Sequence, residues 1–207
     1  MTQKIARLIS YIFHPVFIPV LLLLVIYGFA PTPFYFSLFS LKSFLALCGI
    51  VLLYTAIFPG AFIYWLFKRK VISDVELPEQ TERPKIYLIT SGFYIALTYF
   101  LYSKGGMLRP TSFLIGIMSV SIIGLGVFTL KEKISAHATA MGGFVGILLM
   151  VLLKYGEAHI EYPLFGVIII SGIVLSSRLA LQVHSLKQVS LGFLWGMCVG
   201  LLGIFFL

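Results

Sequence analysis

The sequence predicts an all-α fold, a polytopic transmembrane helical bundle of six or seven spans. Of its 207 residues, 60% are hydrophobic and only 11% are charged, and the mean hydropathy is +1.06, values that are foreign to water-soluble domains. The apolar residues form long uninterrupted blocks, each near the roughly 20 residues that a helix needs to cross a hydrocarbon core of about 30 Å. We therefore expect a single integral membrane domain over residues 1–207.

The apolar residues fall into seven blocks, which are the predicted spanning helices. The blocks cover residues 8–30, 43–67, 86–102, 111–130, 136–153, 164–181 and 189–207. Pro15 and Pro19 in the first block and Pro59 in the second are expected to kink those helices, because proline removes a backbone donor. If two of these N-terminal segments do not span separately, the count is six.

Lysine and arginine residues concentrate in alternate connections between the blocks. The connections after blocks one, three and five contain four of the 15 cations, namely Lys42, Lys104, Arg109 and Lys154, and the other eleven lie on the opposite side. The positive-inside rule places the richer side, together with the N-terminus, in the cytoplasm, as in a bacterial inner membrane. Because the cations flank the blocks, the net charge of +8 indicates membrane orientation, and we expect no nucleic-acid partner.

Three polar groups adjoin the ends of predicted spans. They are Glu82-Arg83-Pro84, Ser135-Ala136-His137, and Ser177-Arg178 followed by His184 and Gln188. Two blocks separate the first group from the second, and two more separate the second from the third. Since an even number of crossings returns the chain to its starting side, all three groups are predicted to meet one aqueous face, as a shared site requires.

The residue types in these groups suit phosphoryl transfer. One imidazole can attack phosphorus, a second can protonate the leaving oxygen, and guanidinium groups can bind the phosphoryl oxygens in pairs. This scheme requires neither a metal nor another cofactor. A metal site is the less favoured interpretation, because no His-x-x-x-His or Cys-x-x-Cys spacing is present.

These groups resemble the signature motifs of a known enzyme family. The segment Ser177-Arg178-x5-His184-x3-Gln188-Val189-x2-Gly192 resembles the last motif of the type 2 phosphatidic acid phosphatase superfamily. Ile134-Ser135-Ala136-His137 resembles that family's Pro-Ser-Gly-His motif, and Arg83-Pro84 resembles the Arg-Pro that ends its first motif. The resemblance covers residues 83–192.

The resemblance implies a membrane-embedded lipid phosphatase or diphosphatase that acts through a phosphohistidine without metal. By position, His184 would be the nucleophile and His137 the general acid, while Ser135, Arg83 and Arg178 would hold the phosphoryl group. Phosphatidate, phosphatidylglycerophosphate, undecaprenyl diphosphate and lipid A phosphates are all substrates of the implied kind.

The chain departs from the family pattern at two charged positions. Gln188 stands where the family has an Asp that orients the nucleophilic histidine, so Gln188 is expected to orient His184 without supplying charge. Glu76 stands where the family has a Lys. Residues that could compensate are the lysines Lys70, Lys85 and Lys133 and the loop acids Asp74, Glu79 and Glu82.

Other functions and purely structural roles remain open from the sequence. A relative that has lost catalysis could bind anionic lipid or act as a membrane scaffold, and a small transporter is a third hypothesis. Ser135 could simply cap a helix, and His14 and His159 are expected to be structural or surface residues. The glycines at 142, 143, 192, 196 and 200 are expected to allow close helix packing.

Overall fold

The computed structural model describes residues 1–75, 77 and 79–207, and within them the chain is helical without β-strands. The described residues form nine α-helices: α1 Gln3–Ile12, α2 Ile18–Phe29, α3 Leu41–Leu52, α4 Phe58–Lys68, α5 Arg83–Lys104, α6 Arg109–Thr129, α7 Ala136–Tyr155, α8 Glu161–Ala180 and α9 Leu186–Phe206. The predicted all-α class is confirmed.

The described helices combine into seven segments that are long and apolar enough to cross a membrane. The segments are Gln3–Phe29, Leu41–Lys68, Arg83–Lys104, Gly106–Thr129, Ala136–Tyr155, Glu161–Ala180 and Leu186–Phe206. Each contains one predicted block or nearly all of it, so the count of seven is supported over six. The chain is therefore an integral membrane protein with a polytopic helical bundle.

The first span is broken at Pro15, as predicted. Helix α1 ends at Ile12, a short 3-10 turn covers Pro15–Phe17, and α2 starts at Ile18. Pro15 has no N–H group with which to continue the α-helical hydrogen bonds. Pro19 lies in the first turn of α2, where the missing N–H costs little because the first N–H groups of a helix lack partners anyway.

The second span is distorted just before Pro59. Between α3 and α4 the chain forms a π-helical turn over Leu53–Ile57, a widening that accommodates the carbonyl for which Pro59 offers no donor. The buried Thr55 in this turn donates a hydrogen bond from Oγ1 to the carbonyl of Val16, at 3.3 Å. The irregular turns of the first two spans therefore contact each other.

Helices α7 and α9 pack at the centre of the bundle through glycines, as predicted. A side-chain carbon on Gly142 would collide with the carbonyl of Phe193, and one on Gly196 would collide with the carbonyl of Thr139. One on Gly200 would come within 2.7 Å of the Gly143 carbonyl oxygen. Only glycine allows the two backbones to approach so closely.

One end of the bundle collects the irregular parts of the chain. The N-terminal ends of α5 and α7, the C-terminal end of α8, the connection from α8 to α9 and the break after α1 surround one cavity. Helix α1 lies against α8 at this end. The three polar groups therefore meet on one side, as the even number of spans between them predicts.

Candidate functional site

A cavity of about 610 Å³ opens between the helices at this end of the bundle. Its basic side chains and imidazoles come from α1, the turn after α1, α5, the α6–α7 connection, α7, α8 and the α8–α9 connection. They are Arg7, His14, Arg83, Lys133, His137, Arg178 and His184. No Asp or Glu among the described residues lines this cavity, so its polar end carries unbalanced positive charge and favours an anion.

His184 lies in the connection between α8 and α9 and is only 8% exposed. Its Nδ1 atom is 3.2 Å from the main-chain carbonyl oxygen of Lys133. Because a carbonyl can only accept a hydrogen bond, Nδ1 must carry the proton, which leaves a lone pair on Nε2 of the neutral ring. Burial and the nearby guanidinium groups of Arg83 and Arg178 lower the pKa of His184 to about 4. The ring is therefore neutral near pH 7, as a nucleophile must be.

Arg83 is the first residue of α5 and is 8% exposed. Its Nε donates to the carbonyl of Leu77 at 2.8 Å. This contact holds the guanidinium at the cavity wall, near enough to His184 for its charge to lower the pKa of that imidazole.

Lys133 supplies both the carbonyl that contacts His184 and an ammonium group at the cavity. Burial and the positive charges of Arg83 and Arg178 lower the pKa of Lys133, and Glu79 acts in the opposite direction. Of the lysines that could replace the missing family cation, Lys133 is the one that lines the cavity, whereas Lys70 borders a separate depression at the end of α4.

His137 lies in the first turn of α7 and faces the end of α1. Its Nε2 is 3.0 Å from the main-chain carbonyl oxygen of Ser10, so Nε2 donates and Nδ1 is left for other chemistry. The ring of His14 contacts the His137 ring edge to face, with a centroid separation of 5.3 Å.

Arg178 lies near the C-terminal end of α8 and contacts Ser10 of α1, the residue whose carbonyl also contacts His137. Its Nη1 donates to the hydroxyl oxygen of Ser10 at 3.1 Å. That oxygen is also 3.2 Å from the hydroxyl oxygen of Ser177. Ser10 therefore touches His137 through its main chain and Arg178 through its side chain.

Ser135 and Gln188 are not among the residues that line the cavity. Ser135 is fully buried and caps α7 by accepting from the N–H of Ala138 at 3.4 Å. The oxygen of Gln188 accepts from the N–H of Ser185 at 3.1 Å, and its amide nitrogen donates to Glu132 at 3.3 Å. In the structure Ser135 therefore caps a helix, the ring of His184 contacts the carbonyl of Lys133, and the side chain of Gln188 is bonded to Ser185 and Glu132.

Glu132 holds the beginning of α9 against the α6–α7 connection. Its carboxylate is 2.7 Å from Nζ of Lys187, in addition to its contact with Gln188. Hydrogen bonds from Lys187 and Gln188 hold the pKa of Glu132 below its usual value. The side chain of Gln188 therefore helps to hold the first turn of α9 against the connection between α6 and α7.

The loop before α5 lines the cavity through Val75 and Leu77, and none of its described acids belongs to the lining. The carboxylate of Glu82 accepts hydrogen bonds from the main-chain N–H and the hydroxyl of Ser73, at 2.9 and 3.0 Å. Glu79 is close enough to Lys133 to influence its charge. Glu76, which stands at the family's Lys position, lies outside the described residues.

Sequence reasoning did not single out Ser10 and expected a structural or surface role for His14, because both lie inside the first apolar block. Arg7, Ser10, Tyr11 and His14 follow the i, i+3, i+4, i+7 spacing of one helix face, and all four line the cavity. That spacing was the available signal.

Within the part of the chain that the structure describes, no group of three or more His, Cys, Asp or Glu residues is arranged to hold a metal ion. No family model, curated protein or solved structure matches the chain.

Proposed function

We propose that this protein releases phosphate from a membrane lipid phosphate or diphosphate through a phosphohistidine at His184. One observation carries the proposal. The neutral imidazole of His184, oriented by the Lys133 carbonyl, shares a cavity with Arg83, Lys133 and Arg178, and no described acid belongs to the lining of that cavity. Guanidinium and ammonium groups bind phosphoryl oxygens and stabilise the negative charge of the transition state.

The chemistry follows from the hydrogen bonds of the two histidines. Nε2 of His184 attacks phosphorus to form an N–P bond, and the P–O bond to the lipid breaks. The leaving oxygen takes the Nδ1 proton of a doubly protonated His137, which keeps its Nε2 proton on the Ser10 carbonyl. The proton on Nδ1 of His184 stays in place, hydrogen-bonded to the Lys133 carbonyl. Water then attacks phosphorus, gives a proton to His137 and releases phosphate, which restores neutral His184.

The apolar part of the cavity suits a lipid chain. On α5 the lining runs from Arg83 to Tyr94, which at roughly 1.5 Å per residue is a depth of about 16 Å. This is about half of a hydrocarbon core of ~30 Å. The deep walls are lined by residues such as Leu22, Ile117 and Phe144, so a substrate would place its phosphate at the basic end and its chain among the helices.

A second candidate function is binding of anionic lipid without turnover. It is favoured by the absence of a hydrogen-bonded carboxylate on His184 among the described residues, since its Nδ1 contacts a neutral carbonyl. A carboxylate would stabilise the positive charge that develops on the ring, so its absence weakens the nucleophile while leaving the anion site intact.

We propose that the protein resides in a bacterial inner membrane with its N-terminus in the cytoplasm. Eleven of the 15 Lys and Arg residues lie on the N-terminal side of the predicted topology. The cavity opens on that same side.

The deciding experiment measures phosphate release in detergent, without added metal and with a chelator, from phosphatidate and undecaprenyl diphosphate. Wild type is compared with His184→Ala and His137→Ala, and with His159→Ala at the opposite end of α8 as the matched control. We expect His184→Ala to lose all release above background, His137→Ala to lose about 100-fold to 10,000-fold, and His159→Ala to match wild type.

The intermediate gives a second readout. Acid-labile and base-stable phosphate should be trapped on wild-type protein and not on His184→Ala. If folded wild-type protein binds lipid tightly but releases no phosphate, the hydrolase proposal is wrong and the lipid-binding function is favoured.

A further inference from the structure

We propose that Ser10 is a positioning residue of this site, acting through both His137 and Arg178. The inference rests on the proposed function and extends it to α1, which lies outside the segment that carries the family resemblance. In this proposal helix α1 contributes to the function of the cavity as well as to membrane insertion.

The first contact depends on the break at Pro15. In a continuous helix the carbonyl of Ser10 would accept from the N–H of residue 14. Here the N–H of His14 is directed to the carbonyl of Tyr11, at 3.4 Å, and Pro15 offers no N–H. The carbonyl of Ser10 is therefore available to His137, whose Nε2 lies 3.0 Å away.

This contact selects the atom of His137 that transfers protons. With Nε2 donating to a carbonyl, the proton exchanged with the substrate must be carried on Nδ1. A fixed hydrogen bond on one ring nitrogen also fixes the direction of the other, as carboxylate and carbonyl partners do for histidines in metal and catalytic sites.

The second contact uses the side chain. The hydroxyl oxygen of Ser10 accepts from Nη1 of Arg178 at 3.1 Å, while Ser10 can donate to the carbonyl of Ala6 at 3.0 Å. Ser10 is 6% exposed, so this bond forms away from bulk water, where charge-assisted hydrogen bonds are strong. It aims the guanidinium that would hold the phosphoryl group.

A purely structural role for Ser10, holding α1 against α8, makes different predictions. With a structural role, Ser10→Ala would lower the stability of the protein by the same amount with or without Arg178. With a positioning role, its effect on phosphate binding requires Arg178 to be present. A double-mutant cycle separates the two, because coupling appears only between residues that act together.

The cycle consists of wild type, Ser10→Ala, Arg178→Gln and the double variant, with the dissociation constant of inorganic phosphate as the readout. Ser171→Ala is the matched control, since Ser171 is also buried and its hydroxyl donates within α8, to the carbonyl of Val167 at 2.7 Å. We expect Ser10→Ala to weaken phosphate binding about tenfold, no further weakening when it is added to Arg178→Gln, and no change in Ser171→Ala.

Pro15→Ala tests the main-chain contact. Alanine at position 15 lets the helix continue, so that the N–H of His14 bonds the Ser10 carbonyl and draws it away from His137. We expect kcat for phosphate release to fall about tenfold or more with phosphate binding unchanged. Pro163→Ala, in the first turn of α8 where a missing N–H has no partner to lose, is the control and should leave both constants as in wild type.

The outcomes separate this inference from the proposed function. Equal losses in Ser10→Ala and Ser171→Ala, or additive losses in the cycle, would overturn the role of Ser10 even if the enzyme turns over. If phosphate binding follows the expected cycle but no lipid phosphate is hydrolysed, the positioning role of Ser10 is supported and the proposed phosphatase activity is wrong. A wild-type protein that binds no phosphate would overturn both.

Discussion

Single residues in the cavity owe their properties to neighbours from other helices. His184 comes from the α8–α9 connection, yet its proton is placed by the carbonyl of Lys133 and its charge is opposed by Arg83 and Arg178. Ser135 and Gln188, by contrast, are occupied by bonds at the helix starts on which they lie, and Gln188 also donates to Glu132. Residues whose side chains satisfy a helix end are not available to a ligand.

The titration of His184 is the prediction at this scale. In protein labelled with 13C in its histidine rings, we expect the His184 resonance to titrate with a midpoint near pH 4, because burial and two guanidinium groups oppose the imidazolium. Arg178→Gln should raise that midpoint, since one of the opposing charges is removed. A midpoint near the ordinary value of about 6.5 in wild type would contradict the electrostatic account of the cavity.

Helices contribute through their irregularities and their contacts. The break before α2 frees the Ser10 carbonyl. The α7–α9 contact positions α7, because glycines of each helix lie against the main chain of the other. The helix that carries His137 is thus located by a packing surface made of main chain.

Substitution of a packing glycine is the prediction at the scale of the helix. Gly196→Ala would drive a methyl group into the main chain of α7 at Thr139 and Gly143, so we expect a loss of about 2 kcal/mol or more in unfolding free energy. Gly172→Ala in α8, where no atom lies within 4 Å of the added carbon, should be neutral or more stable by up to about 1 kcal/mol.

Thermal unfolding in one detergent checks this difference. A clear fall in midpoint for Gly196→Ala alone is the expected result. Similar midpoints for both variants would mean that α7 and α9 can separate at little cost.

The whole molecule places its basic cavity at one end of seven spans, which ties the site to membrane sidedness. In a variant with Cys48 and Cys198 replaced by serine, we expect Lys104→Cys to react with a membrane-impermeant maleimide in intact spheroplasts. Lys131→Cys, in the exposed connection before α7, should react only after permeabilisation, because the positive-inside rule places that side in the cytoplasm. The reverse pattern would place the cavity on the outer face.

The sequence by itself determined the class of the protein and the meeting of its polar groups. Apolar blocks of membrane length must become helices, because no other open-chain structure satisfies its backbone groups inside a bilayer, and the even number of spans brings Arg83, His137, Arg178 and His184 to one side. The sequence also offered helix capping as a role for Ser135, and Ser135 caps α7.

The tertiary structure alone decided which side chains reach the cavity. Ser10 and His14 line it because the chain breaks at Pro15 and α1 packs against α8. Lys133 lines it and Lys70 does not, because the connection between α6 and α7 passes along the cavity. Such choices depend on contacts between residues more than a hundred positions apart, as between Ser10 and Arg178 at 3.1 Å. Local propensity carries no information about these distances, because they are fixed by how the helices pack.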